Sequence, residues 1–257
     1  MNEFTLEISI LGPALLAGIL VVATHVPLGI QVLKRGIIFL DLAVAQIASL
    51  GLVAANVLDI ASNAWLVQLI AAASAIAGAL FLVWTEKQWP ELQEAIIGSS
   101  FVIAASTGIL LLSSHPHSGD QIKELLSGQI LWISVEQLIY SAMLFSMIIL
   151  GWMKWNWHQN RILFYVMFAL AVTASVQMMG VYLVFSSLII PALSCYYIQS
   201  ERNRLIWAYG TGLAGFIIGL LISALADLPS GPMIVLSLVV CGVVSWNLAS
   251  LLKLSNK

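Results

Sequence analysis

Charge is scarce in this chain. Of its 257 residues only 10 are Lys or Arg and 12 are Asp or Glu, so charged side chains make up 9% of the sequence. Soluble domains carry roughly 25%. With 61% hydrophobic residues and a mean hydropathy of +1.01, the composition excludes an ordinary soluble fold and places the chain in a membrane. The net charge of −2 argues against nucleic acid or an acidic partner as the main ligand. Cysteine is nearly absent too. Cys195 and Cys241 stand far apart in apolar runs, which excludes a disulfide framework and a CxxC metal knuckle. The opening segment MNEFTLEISI has two glutamates and no basic residue, so it lacks the positive start of a secretory signal, and the first apolar run is expected to be a retained span. The chain contains no GxxxxGK[ST], GxSxG or HExxH. It has no phosphate loop to cradle ATP, and a catalytic reading has little to stand on.

What is abundant is apolar sequence in long runs. A membrane-spanning helix needs about 20 such residues, and runs of that kind fall near 9–32, 37–57, 64–84, 95–113, 137–153, 162–179, 181–198, 205–225 and 232–252. The expected fold is all-α and polytopic, a single transmembrane domain over 1–257 with about nine helices, or eight if the broken run 181–198 does not cross. The longest polar interval, Ser114 to Glu136, could lie along the membrane surface. Short cytoplasmic loops collect Lys and Arg. With the N-terminus outside and nine crossings, Lys34, Arg35, Lys87, Lys154, Arg161, Arg202, Arg204, Lys253 and Lys257 fall inside and only Lys123 outside. That bias predicts an outside N-terminus and a cytoplasmic C-terminus.

The stretch 178–204, MMGVYLVFSSLIIPALSCYYIQSERNR, is interrupted at Gly180 and Pro191 and ends in Glu201, Arg202 and Arg204. Proline removes a helical hydrogen bond, and in lipid the freed backbone must be buried in protein or lie at the surface. Two readings compete: a short helix from Leu188 to Gln199 packed at the cytoplasmic face, where a second protein could push, or an ordinary span with a proline kink.

Ionisable groups inside the apolar runs are costly, and His25 and Asp41 are the clearest. The first two runs turn at Lys34 and Arg35. At 1.5 Å per residue His25 lies roughly 13 Å from that turn, Asp41 about 9 Å and Gln46 about 16 Å, comparable depths if the helix faces agree. Asp41 and Gln46, five residues apart, differ by about 140° around a regular helix, so a break near Gly36 or a packed cleft would be needed to join them. A neighbouring carbonyl competes as partner of His25. Helix capping, or pairing with Lys34 or Arg35, competes for Asp41. Gln177 is a lone polar group for which interhelical hydrogen bonding and substrate contact are equally good accounts. His115 and His117 could capture a metal, although two histidines in a polar loop are more often simply solvated. Asp227–Pro232 reads as a stiff turn.

Three segments together resemble the ABC-3 permease subunits of ABC importers for zinc, manganese or iron: PLGIQVLKRGIIFLDLAVAQIASLG at 27–51, SVQMMGVYLVFSSLIIPALS at 175–194 and DLPSGPMIVL at 227–236, with LLSGQILWIS at 125–134 a softer match. The resemblance implies a fold similar to the cobalamin-importer permease, in a bacterial cytoplasmic (inner) membrane. Its implied partners are membrane lipid, a second permease copy (a homodimer), an extracytoplasmic metal-binding protein and separate ABC ATPase subunits that bind the ATP, with no cofactor in this chain. Leu188 to Gln199, including Leu188, Ile189, Ile190, Pro191, Ala192 and Leu193, would be the coupling helix, flanked by Glu201, Arg202 and Arg204. The family pairs an Asp with a His four residues later on the second span. Aligned on Gly51, this sequence has Leu42 and Gln46 at those positions, with Asp41 one place early. Glutamine is a poor zinc ligand, so His25 is the candidate replacement, with Asp41, for the metal. The resulting expectation is a divalent-metal importer subunit, zinc first and manganese or iron next, with Asp41, Gln46, His25 and Gln177 along the path. An ion-gradient-driven transporter is the alternative, though only one run is broken where such folds often have two. An intramembrane protease would need a serine in a nucleophile setting, and Ser99, Ser100 and Ser186 are in none.

Overall fold

The computed structural model describes residues 3–57, 64–112, 130–155 and 157–255. Among them lie eight α-helices and no strand: α1 (Glu3–Arg35), α2 (Leu40–Val57), α3 (Ala64–Gln88), α4 (Gln93–Leu112), α5 (Val135–Trp155), α6 (Arg161–Ser194), α7 (Glu201–Ala226) and α8 (Ser230–Ser255). Seven of these are long and apolar enough to cross a membrane, and α2 is a shorter apolar helix. The chain is thus all-α and polytopic. His115, His117 and most of the polar interval 114–136 lie outside the described residues.

The nine expected runs become eight helices because 162–179 and 181–198 merge into α6. Gly180 interrupts it at φ 78°, ψ 165°, a backbone region open essentially to glycine alone. The second half, residues 181–194, is about 21 Å long at 1.5 Å per residue, against a hydrocarbon core near 30 Å. As a helix it reaches about two thirds of that thickness, and the residues after Ser194 carry the chain on to α7. The helix also stops at Ser194, and 195–197 form a turn. The short helix expected over 188–199 is therefore the end of α6 followed by a turn.

The chain packs as two compact units. The first is drawn from Met1–Arg35, Ser127–Phe145 and Met178–Lys257; the second from Gly36–Leu126 and Ser146–Gln177. Two of the boundaries, at Phe145/Ser146 and Gln177/Met178, pass through helices α5 and α6 instead of linkers.

In the first unit α7 and α8 form a closely packed antiparallel pair. A side chain at Gly219 would collide with the Ile234 backbone, and a Cβ at Gly215 would lie 2.5 Å from Leu238. Lipid gives apolar helices no hydrophobic drive to associate, so such small-residue contacts supply the packing. Tyr209 on α7 donates to the Ala23 carbonyl of α1 at 3.0 Å. At one end Lys34 pairs with Glu201 at 3.1 Å, which brings the basic end of α1 to the start of α7.

In the second unit α2 lies against α3, with Gly51 facing Ser74 and Gly78 facing Ile47. Gln93 ties the α3–α4 turn together: it donates to the Leu82 carbonyl at 3.0 Å and accepts from Thr85 at 3.1 Å. Glu94 accepts from the Ile38 amide at 2.6 Å. Arg161 meets Glu86 at 3.5 Å, next to Lys87. Among the described residues, each unit thus has basic residues gathered at one end.

Candidate functional site

The residues around Pro191 sit in a cradle built by the first unit. Leu188, Ile189 and Ala192 are buried, as is Pro191, and Ile190 is half-buried. Two glycines, on α1 and α8, make room for them, and a third on α7 lies in contact with Pro191 and makes room for Val22 of α1. A side chain at Gly29 of α1 would collide with the Leu188 carbonyl; one at Gly212 of α7 would reach Pro191 at 3.5 Å; one at Gly242 of α8 would reach Ile190 at 2.5 Å. This satisfies the demand that a proline-interrupted helix be covered by protein. Within the coupling segment expected over Leu188–Gln199, only Leu193, 43% exposed, Tyr196, 66% exposed, and Gln199 are exposed. Ser200, Glu201 and Arg202 extend that outward surface into α7.

That turn is fastened down. The amides of Tyr196 and Ile198 donate to Leu193 and Cys195 at 3.0 and 3.1 Å. Arg204 closes over it with Nε and Nη2, both donating to the Ile198 carbonyl at 3.1 and 3.0 Å. Cys195 is buried and donates to the Ala192 carbonyl at 3.0 Å. Burial pushes its thiol up to about 11. A chain of hydroxyls ties the end of α6 to its neighbours: Ser194 donates to Thr211 of α7 at 3.2 Å, and Thr211 meets Ser245 of α8 at 2.9 Å.

The ionisable groups are divided between the units, His25 in the first and Asp41 in the second. His25 is fully buried. Neither ring nitrogen makes a hydrogen bond within the described residues. The backbone of Val21 approaches the ring, but its carbonyl already accepts from Thr24 at 3.0 Å. Asp41 lies in the first turn of α2, where the helix dipole favours a carboxylate. Its own amide and that of Leu42 lean towards it, yet neither oxygen completes a hydrogen bond of sound geometry.

Since α2 runs unbroken from Leu40 to Val57, Asp41 and the half-buried Gln46 stay on different faces. The break at Gly36 (φ 70°) precedes both and cannot align them. Leu42 opens on an apolar groove of about 680 Å³ with Phe39, Gly98, Ser99 and Val102. Within the described residues, the buried amide nitrogen of Gln177 and the Thr173 hydroxyl one turn earlier have no hydrogen-bond partner. Among the described residues no three His, Cys, Asp or Glu side chains gather as a metal site.

The glycine notches and the Ser194–Thr211–Ser245 chain escape sequence reading. Small residues on apolar helices hint at close approach, but not at which partner approaches.

Fold and site together define a multi-pass helical membrane protein in which an interrupted helix ends in a rigid turn at a basic end. The sequence pattern described as the ABC 3 transport family matches residues 7–160 and 156–249, and the chain belongs to that family. Among its relatives is the "High-affinity zinc uptake system membrane protein ZnuB" of Haemophilus influenzae. It is 24% identical over 247 residues, covering 88% of this chain and 93% of that one. A "Probable metal transport system membrane protein" of Chlamydia muridarum is 24% identical over 205 residues, covering 72% and 69%. The fold matches a chain in "PsaBC from Streptococcus pneumoniae in complex with Fab" with a TM-score of 0.76 at 18% identity, over 95% of this chain and 94% of that one.

Proposed function

We propose that this chain is the membrane-spanning permease subunit of an ATP-binding-cassette importer for a divalent transition metal ion, zinc first and manganese or iron next. The observation that carries the reading is the turn after α6. Its buried side is locked into α1, α7 and α8, while Leu193, Tyr196, Glu201 and Arg202 face outwards at the basic end. A separate ATPase docking there would push on a rigid body rather than on a loose loop. The ATPase supplies the ATP chemistry, for which this chain has no phosphate loop. The remaining assembly follows the resemblance: a second permease copy as homodimer, an extracytoplasmic metal-binding protein, and a bacterial cytoplasmic membrane with the N-terminus outside and the C-terminus inside. The names of the relatives favour a metal as cargo, and the zinc uptake protein of H. influenzae puts zinc first.

The path for the ion runs by the buried polar groups. Within the described residues, His25 and Asp41 complete no side-chain hydrogen bond, the kind of buried group that a membrane protein retains for transport, and Gln46 and Gln177 are their neutral counterparts. The test is uptake of zinc, manganese and iron by vesicles reconstituted with permease, ATPase and binding protein. Uptake must require ATP hydrolysis. Accumulation driven by an imposed ion gradient without the ATPase would replace this reading with a secondary transporter. His25→Ala is expected to slow uptake, and an unchanged rate would remove His25 from the path.

A further inference from the structure

The outer side of the turn carries an aromatic cluster that the coupling reading leaves unexplained. The ring of Tyr196 stacks on Trp246 of α8 with centroids 5.8 Å apart and planes 17° apart. Tyr197 packs against the same indole at 4.7 Å and against Tyr196 edge-on at 5.5 Å. Tyr196 is nevertheless 66% exposed. The backbone beneath it is held by the Arg204 clamp on Ile198. An exposed ring pinned in one orientation has already lost the freedom that binding would otherwise cost, and pre-organised Tyr and Trp are the side chains on which interface energy concentrates.

The surroundings say what kind of partner fits. Among the described residues of this unit, the end around the turn carries Lys34, Arg35, Arg202 and Arg204 against one acid, Glu201, a surplus of three positive charges. A protein that docks here needs an apolar pocket for the ring and an acidic rim for the surplus. The irregular backbone after Ser194 leaves carbonyls that no helix satisfies, so the turn belongs in water or against protein and not in hydrocarbon.

We infer that Tyr196, held in place by Trp246, is the anchor through which the turn enters the partner ATPase, with Arg202 meeting the acidic rim of its groove. The inference rests on the importer reading above and adds the residue that fixes affinity for the ATPase. The test uses the full chain in lipid nanodiscs and the ATPase subunit recovered with it from native membranes. Binding is measured for the wild type, Tyr196→Ala, Tyr196→Phe, Trp246→Ala and, as control, Tyr182→Ala, another exposed tyrosine of this unit at 55%.

Tyr196→Ala is expected to weaken binding by about 30-fold or more, the hot-spot range. Tyr196→Phe, which keeps the ring, stays within about 3-fold. Trp246→Ala falls between them because the ring loses its support. Tyr182→Ala binds like the wild type. Size-exclusion profiles and unfolding midpoints identify any variant that fails to fold, in which case Tyr196→Phe against Tyr196→Ser decides. If wild type and Tyr196→Ala bind equally well, the anchor is wrong while the importer reading stands, and the cluster is an aromatic anchor in the membrane interface. Equal losses in Tyr196→Ala and Tyr182→Ala also overturn the anchor. If the wild type binds no ATPase at all, the importer reading itself fails.

Discussion

Two spans of similar hydropathy are treated differently by this fold. In Arg161–Ser194 the most apolar window has a mean hydropathy of 2.0 and 61% of it is buried; in Pro90–Leu111 the hydropathy is 1.7 and 11% is buried. The first is interrupted at Gly180 and contains Pro191. The second is dominated by the regular helix α4, whose backbone satisfies itself and can face lipid directly. Hydropathy finds both spans. Backbone regularity decides which of them the protein must cover.

The comparison can be broken most sharply at its tightest contact. Gly29→Val drives a side chain into the Leu188 carbonyl, a backbone atom that cannot step aside, and is expected to abolish recovery of folded protein in detergent. Gly98→Val on α4, where nothing lies within 4 Å, should give wild-type yield. If both variants express equally, α6 is not seated as described.

A smaller effect is expected at the interruption. Gly180→Ala forces alanine to φ 78°, ψ 165°, at a cost of about 1–3 kcal/mol, read as a lowered unfolding midpoint. Gly108→Ala on the open face of α4 should raise stability by up to about 1 kcal/mol through helix propensity. The opposite signs are the test, and equal shifts would deny that the two helices differ.

The smallest effect concerns side-chain hydrogen bonds. Thr211→Val removes the links to Ser194 and Ser245 and should cost about 0.6–1 kcal/mol, the range for hydroxyl contacts between membrane helices. Thr107→Val on α4 loses only a bond to its own Ile103 carbonyl at an exposed position and should stay within about 0.5 kcal/mol. Equilibrium unfolding in mixed micelles measures both.

Much of this architecture was readable from residue order. The apolar runs locate the helices. The pairing of Lys34 with Glu201 and of Arg161 with Glu86 was not readable there, and the partner that sequence offered for Lys34 was Asp41. The five-residue spacing of Asp41 and Gln46 already put them on different faces, and the unbroken α2 keeps them there. The depth of Leu188–Ala192 was not readable. A proline after an apolar run is equally compatible with a surface break and a buried one, and what decides is the pair of notches at Gly29 and Gly242 on helices distant in sequence. The end of α6 at Ser194 was hidden for a related reason: Cys195, Tyr196, Tyr197 and Ile198 continue the apolar composition without continuing the helix.

The account turns on which side of the membrane the fastened turn faces. With Cys195 and Cys241 replaced by alanine, a single cysteine introduced as Ser200→Cys can be labelled by a membrane-impermeant thiol reagent in right-side-out and inside-out vesicles. The account predicts labelling in inside-out vesicles only, with protection when the ATPase is bound. Labelling in right-side-out vesicles would place the turn outside the cell and contradict it.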